Sequence, residues 1–362
     1  MSGMRHSLKT VCVLCACALL VCACTSGAGA NKDNTSDTAV SGDDMTSYDD
    51  VGFAMGTVVN QTIYSTDKNI AAEIVDLLTT IEKQRISWRE EDSEVAAINR
   101  NALAVRGGAP TEISQETKGY LQTALEIAAD SNGAFDPTMG QLTQLWDFDG
   151  GSEVVPDASR ISSLLADVGY AHVHVEGDSA TLAESSSIDL GAMGKGIGCD
   201  EVESYFDAKG DVAGALVNIG GSSVLTYGKK STDEPWKVAV LNPRDEVDYL
   251  GALTLKGTNH VSSSGDYERY FELDGKRYHH ILDPATGYPV DNGLMSVTVV
   301  GRHGAQCDAL STACFVLGWE QSLELLARYD AEAIFVTTDK QVQVTDGLKD
   351  SFQLLADGYT VL

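Results

Sequence analysis

The sequence predicts an α+β fold, a mixed and mostly antiparallel sheet packed with helices, in one domain over residues 51–362. Three observations carry this expectation. Helical apolar spacing dominates the early part of the domain, β-type runs cluster later, and a tight hairpin joins two of them. A doubly wound parallel sheet would instead alternate strand and helix throughout.

The elements follow in order. Met55-Gly56-Thr57 opens the first strand. Residues 69–86 read as a helix, with Ile70, Ile74, Leu77, Leu78 and Ile81 on one face. Ser114 caps a second helix, which turns Leu121, Leu125 and Ala128 inward and stops at Asn132-Gly133. Asp157 caps a third, which bears Ile161, Leu164, Leu165 and Val168 and ends at Gly169. Short strands are expected at 171–176, 180–184, 215–219, 223–227, 236–241 and 252–255. A glycine-rich turn over 187–198 leads into a helix with Val202, Tyr205 and Phe206. Strands 267–273 and 276–281 flank Asp274-Gly275, a pair suited to a type I′ turn. Apolar strands follow at 295–300 and 332–337, with helical spacing over 303–318 between them.

The chain ahead of the domain has a different character. Arg5 and Lys9 precede an uncharged apolar run from Val11 to Val21, too short to span a membrane. The run ends in Val21-Cys22-Ala23-Cys24, which resembles the lipobox of bacterial lipoproteins. Residues 1–23 are therefore expected to be a signal peptide and Cys24 the lipidated (palmitate-type) mature N-terminus. Residues 24–50, rich in Ser, Thr, Asp, Gly and Ala, are expected to form a flexible polar tether.

The formal net charge is -28, and loss of residues 1–23 leaves 23 basic against 53 acidic side chains, near -30. So acidic a surface disfavours nucleic acid and anionic lipid as partners. It still admits an anionic ligand where local cations or helix N-termini receive it. Cys199, Cys307 and Cys314 remain in the domain with no paired or zinc-type spacing, and read as small buried residues.

Four groups could do chemistry. Asp308 and Thr312 sit four apart on one helical face, a hard-cation donor pair suited to Mg²⁺ beside phosphates; the alternative is a helix-end carboxylate and a core threonine. Lys195 lies in the glycine-rich strand-to-helix turn, whose amides could approach a phosphate; the alternative is a tight turn with a solvated lysine. His279, His280 and Asp283 stand at a strand end before a rigid Pro/Gly turn. A histidine there could act as general base, or Asp283 could simply cap its own turn. Trp88 and Arg89 could stack on a ring system, or Trp88 could be a core aromatic.

The order of motifs resembles the FAD:protein FMN transferase, or ApbE, family. The motifs are Met-Gly-Thr at 55–57, Ser87 with Ser93-Glu94 and Asn99, and Gly-Ala-Phe-Asp-Pro-Thr at 133–138. They continue with Asp-Leu-Gly-x-x-x-Lys-Gly at 189–196, Leu-Val-Asn-Ile-Gly-Gly at 216–221, His-Ile-Leu-Asp-Pro-x-Thr-Gly-x-Pro at 280–289 and Asp-Ala-Leu-Ser-Thr-Ala at 308–313. The resemblance implies a Mg²⁺-dependent lipoprotein on the extracytoplasmic face of a bacterial membrane. It would transfer FMN from FAD onto a Thr or Ser of an acceptor protein, itself membrane-associated, and release AMP. A FAD pyrophosphatase and a non-catalytic flavin-binding lipoprotein are the alternatives. Carried over by position, Met55, Arg89, Ala134, Phe135, Asp136, Asp189, Lys195, His280 and Ile281 would line FAD. Asp308 and Thr312 would hold the metal by side chains, with Ala192 and Ser311 contributing backbone oxygens. His280 or Asp283 would take the proton, His280 being preferred, and Lys195 would hold phosphate oxygens. Two departures are visible: Arg89 stands where many members carry Tyr or Phe, and the acid that often follows the double glycine is missing after Gly221.

Overall fold

The computed structural model describes residues 46–104, 108–151, 153–230 and 232–362. The expected signal peptide, Cys24 and the expected tether up to residue 45 lie outside them. The domain begins earlier than expected. β1 (Thr46–Ala54) includes residues 46–50, which read as tether because they lack apolar alternation. Backbone pairing secures the strand instead, in register with β2 (Thr57–Ser65) from Thr46↔Ser65 to Ala54↔Thr57.

α1 (Ile70–Ile81) follows and runs into a π-helical turn, Glu82–Ile86. Next come α2 (Glu94–Ala104), β3 (Thr111–Glu112), α3 (Gln115–Asp130), α4 (Gly140–Trp146) and α5 (Ala158–Leu165). Ser114 and Asp157 cap α3 and α5 as expected, accepting from the amides of Thr117 and Ser159. β4 (Val173–Glu176) and β5 (Ser179–Leu182) precede α6 (Gly194–Lys209), β6 (Val212–Ile219), β7 (Ser223–Gly228), β8 (Trp236–Asn242), β9 (Asp245–Leu255) and β10 (Asn259–Gly265). The expected hairpin is β11 (Tyr270–Leu273) and β12 (Lys276–His279), turning at Asp274-Gly275, both at positive φ. β13 (Leu294–Gly301), α7 (Gly304–Leu317), α8 (Trp319–Arg328), β14 (Glu332–Thr337), β15 (Gln341–Val344), β16 (Phe352–Leu354) and β17 (Thr360–Val361) complete the chain.

The main sheet has nine strands in the order β1-β2-β6-β7-β10-β13-β14-β15-β17. Its pairs are antiparallel except β15 with β17. One face carries helices: Ile74 and Leu78 of α1 with Val202 and Phe206 of α6 cover Val59, Ile63, Val217 and Ile219. Alongside, Leu310, Ala313 and Phe315 of α7 cover Val297, Val299 and Phe335. On the opposite face, Val238 and Val240 of β8 and Leu253 of β9 pack over Val261, Met295, Ile334 and Val336. Both faces of the sheet are thus desolvated, as continuous apolar strands such as β13 require. Cys199, Cys307 and Cys314 are free and buried within these layers.

An outlying cluster joins α4 and α5 to the β11–β12 hairpin through Leu142, Trp146, Ile161, Leu164, Phe271 and Leu282. Trp146, Phe148, Phe271 and Tyr278 stack in series there, and the Trp146 indole donates to the Gly287 carbonyl at 2.8 Å. This cluster builds one wall of the cleft described below.

The closest helix contact is the crossing of α6 and α7. A Cβ on Gly196 would stand 2.1 Å from the Gly304 carbonyl oxygen, and one on Gly304 would stand 2.3 Å from that of Gly196. No side chain fits at either position, because the obstacle is backbone. Gly196→Ala should therefore force the helices apart and cost about 1–3 kcal/mol, the usual range for overpacking. Activity should fall further than that stability loss explains, since the crossing aligns Lys195 with Asp308. Thermal unfolding and turnover on one preparation check this; an alanine variant with parental melting and parental turnover would refute the crossing.

Candidate active site

The cleft lies where α6, α7, β10 and the 133–150 region meet. It has two chambers, of about 390 Å³ and about 620 Å³. Ala134, Phe135, Asp136, Ala192, His280, Ile281, Asp308 and Thr312 line the first. Met55, Thr57, Glu82, Ile86 and Ser222 line the second. Arg89, Asp189 and Lys195 line both.

Local structure explains each position. Asn99 in α2 grips the strand-like segment before α6, donating to the Ile188 carbonyl at 2.8 Å and accepting from the Ile188 amide at 2.7 Å. Ser93 caps α2 by accepting from Ala96, and Glu94 accepts from the amide and hydroxyl of Ser114. The Ser-Glu-Asn motif is thus scaffolding for the Asp189–Lys195 turn. Asp136 accepts from the amide of Thr138 (2.8 Å) and, through its other oxygen, from that of Tyr170 (2.8 Å), which fixes the loop behind Phe135.

In the glycine-rich turn, the Gly191 amide donates to Asp189 at 2.8 Å and the Gly196 amide to Asp308 at 2.9 Å. The N-cap residue, Met193, makes no side-chain bond, and with Gly196 bonded to Asp308 the amides of Gly194 and Lys195 remain as first-turn donors. Lys195 forms no salt bridge among the described residues.

Asp308 is 5% exposed. Burial pushes its carboxyl up to about 6, against the pull of the Lys195 ammonium and the Gly196 amide. One turn on, Thr312 presents its hydroxyl to Ser264 at 3.2 Å, and Ser264 also meets the Ser311 hydroxyl at 2.8 Å. Ser311 itself is fully buried and does not line the cavity. Asp200, from α6, accepts from the Gly304 and Ala305 amides at 2.5 and 2.8 Å, capping α7 from a neighbouring helix. Glu203 meets His260 at 2.6 Å beside it. With both Asp200 oxygens occupied, this Asp-Glu-His group serves as the brace that seats α7.

The two adjacent histidines divide. His279 holds the Val290 carbonyl at 2.9 Å through Nε2 and packs edge-on against Phe315, so it is structural. His280 lines the first chamber, and its buried Nδ1 has no hydrogen-bond partner. Burial, then the charge of Arg269, holds its pKa well below the usual histidine value, so the ring is neutral at pH 7. Asp283 does not line either chamber. Its carboxylate accepts from the Ala285 amide at 2.8 Å and the Thr286 hydroxyl at 3.1 Å, capping its own turn.

Sequence reasoning missed several lining residues. Ser263 and Ser264 lie on β10, whose Ser-Ser-Ser run has no apolar alternation yet occupies the centre of the sheet under α7. Small polar residues in a central strand were the available signal. Glu268, Arg269, Phe148 and Asp149 line the cleft from loops and left no local signature.

The model of the ApbE family matches residues 55–335. The chain belongs to the ApbE family. Among curated ApbE relatives, the FAD:protein FMN transferase of Treponema pallidum is 31% identical, covering 85% of this chain and 89% of its own. That of Klebsiella pneumoniae is 34% identical, covering 85% and 95%. The ApbE protein of Thermotoga maritima superposes with a TM-score of 0.76 at 32% identity, over 84% of this chain and 99% of its own. The flavinyl transferase ApbE of Pseudomonas stutzeri gives a TM-score of 0.74 at 32% identity, over 86% and 98%.

The raised Asp308 carboxyl sets a pH expectation for the metal-free protein. Its folded pKa of about 6 exceeds the unfolded value of 3.8, so the folded state favours the protonated form. Stability is then lost as pH rises from about 4 through about 6, by on the order of 2–3 kcal/mol. Asp308→Asn keeps an acceptor for Gly196 without the charge. It should melt higher than the parent at pH 8 and equal to it near pH 4. A lower melting temperature at pH 8 would contradict the assignment.

Proposed function

We propose that this protein is a FAD:protein FMN transferase that moves FMN from FAD, through a phosphoester bond, onto a Thr or Ser hydroxyl of an acceptor protein and releases AMP. The observation that carries the reading is the convergence of Lys195, the Asp308–Thr312 pair and neutral His280 on one cleft, in a chain whose curated relatives bear that activity's name.

Asp308 and Thr312, with a backbone oxygen of Ala192, make an all-oxygen donor set, which fits a hard cation such as Mg²⁺; Ser311, buried away from the cavity, drops out of the expected set. A buried carboxylate with a raised pKa is one that a cation relieves. Bound there, Mg²⁺ supplies charge neutralisation at the pyrophosphate. The chain's own groups do the rest. The Lys195 ammonium and the first-turn amides of α6 hold phosphate oxygens. Ala134, Phe135, Asp136 and Ile281 shape the first chamber, and Met55 shapes the second. His280 accepts the proton of the attacking hydroxyl, a role for which Asp283 is poorly placed. As the new P–O bond forms at the FMN phosphorus, the bond to AMP breaks, and AMP leaves with the electron pair.

The same cleft would serve a FAD pyrophosphatase with water in place of the acceptor hydroxyl. Incubation with FAD, Mg²⁺ and a candidate acceptor distinguishes them. The proposal expects slow FMN release alone and covalent flavin on Thr or Ser when acceptor is present, read by mass spectrometry. Rapid FMN release unaffected by every acceptor would leave the pyrophosphatase. Asp308→Asn and Thr312→Val should each remove most Mg²⁺-dependent turnover.

The proposal extends to location. The lipobox-like sequence supports a mature chain starting at lipidated Cys24, at the extracytoplasmic face of a bacterial membrane, where its acceptor would also lie. Cys24→Ala should shift the protein from the membrane to the soluble fraction; unchanged partitioning would rule out this anchor.

A further inference from the structure

Every lysine or arginine that lines either chamber lines both: Arg89, Lys195 and Arg269. The boundary between the chambers therefore gathers the cleft's lysine and arginine side chains, beside Asp149, Asp189 and Glu268, in a very acidic chain. Two of these cations are already spoken for by a single carboxylate. Asp149 accepts from Arg89 at 2.7 Å through one oxygen and from Arg269 at 3.1 Å through the other. Three separate segments meet here: the turn after the π-helical residues, the loop after α4, and the turn between β10 and β11. Arg89 lies over the Trp88 ring at 4.1 Å. The base of the Arg269 turn is fixed by Arg244, which holds buried Asp266 with two bonds of 2.7 Å.

The bridge itself is weak. Arg89 is 52%, Asp149 45% and Arg269 44% exposed, and pairs this open are worth at most about 1 kcal/mol. It is a poor strut. It is also a good mimic, because a carboxylate shared between two guanidiniums occupies the geometry of a phosphate between them.

We propose that Arg89 and Arg269 are a receptor for the diphosphate of the dinucleotide, and that Asp149 is the displaceable counter-anion that holds the pair ready. The inference rests on the reading of the cleft as a FAD site; it assigns Arg89, already expected to line FAD, to the diphosphate, and adds Arg269 and Asp149, which that reading does not name. A diphosphate carries more charge and more acceptor oxygens than one carboxylate, so it outcompetes Asp149 for both guanidiniums. With the diphosphate held there, the charge that builds on the departing AMP phosphate would face the pair, which then gains interaction as the P–O bond breaks. Arg269 and Arg89 are thereby placed as phosphate-binding residues, and Asp149 as an internal competitor that tunes affinity.

The competitor role predicts effects of opposite sign. Full-length protein in detergent, with Mg²⁺ fixed, is titrated calorimetrically with ADP and, separately, with riboflavin, which has no phosphate. Asp149→Asn should tighten ADP by roughly three- to fivefold, since up to about 1 kcal/mol of competition is removed. Arg269→Gln and Arg89→Gln should each weaken ADP by a similar factor or more. Riboflavin affinity should be unmoved by Asp149→Asn and Arg269→Gln. All three sites are exposed, and unchanged thermal unfolding verifies that the variants fold. A bridge that serves only as a strut would make Asp149→Asn weaken ADP together with the arginine variants. That result, unchanged ADP affinity in Asp149→Asn, or no ADP binding by any form overturns the proposal. A protein with the opposite shifts that transfers no flavin keeps its diphosphate receptor and loses only the transferase reading.

Discussion

The candidate site depends on one backbone-to-backbone contact, the crossing of α6 and α7 at Gly196 and Gly304. At that distance the Asp308 carboxylate meets the Gly196 amide, in the first turn of α6, where the helix dipole favours a negative charge. One amide, a helix N-terminus and a nearby lysine offset part of the cost of burying a carboxylate. The remainder appears as the pKa pushed up to about 6. Wider separation would let water in, relax that carboxyl and spoil its alignment with Lys195. Asp200 works against separation by bonding the first two amides of α7 from the facing helix. The crossing therefore keeps a carboxylate in a condition that a cation improves, and it does so with glycine backbone and a cap.

The chain's charge makes the cations of this cleft stand out. With 53 acidic side chains against 25 basic ones, most of the surface repels an anionic ligand. The three cations that line the cleft all face the boundary of its two chambers. An anion bridging the chambers meets all of them, together with Asp149, Asp189 and Glu268 on the same boundary. Neutral His280 adds no charge to this balance and remains able to accept a proton.

Much of this was legible in the sequence, for identifiable reasons. The caps at Ser114 and Asp157, the Asp274-Gly275 turn and the apolar faces of α1 and β13 are local signals, and each formed as expected. The Asp308–Thr312 pair was legible because helical periodicity alone puts both on one face. What stayed hidden was non-local. β1 and β10 are strands by virtue of their neighbours, and their own side chains are too polar to announce it. His279 and His280 look equivalent in sequence, but alternation along β12 and its continuation turns one to the Val290 carbonyl and the other to the cleft. Asp283 reads equally well as chemistry or as the cap of its own turn, and only its hydrogen bonds decide for the cap; Asn99 is likewise placed as scaffold only by its bonds to Ile188.

The Met-Gly-Thr motif had no evident chemistry, and its role emerges from strain. Met55 sits at φ 54 and Gly56 at φ 68, the paired left-handed conformation that a two-residue hairpin turn demands. Methionine is a poor choice for that conformation on backbone grounds, and asparagine would be easier. The Met55 side chain reaches α6, where a Cβ on Gly198 would stand 3.0 Å from its sulfur and one on Gly194 would stand 4.0 Å from its methyl. The Met55 amide donates to Glu82 at 2.9 Å, at the start of the π-helical turn that carries the chain on to Trp88 and Arg89. Each irregularity thus supports the other, and both line the second chamber. The strained turn is retained because it ties the sheet edge, the first helix and the N-terminal end of α6 into one lip, which a relaxed Asn-Gly turn without the methionine side chain would leave unjoined.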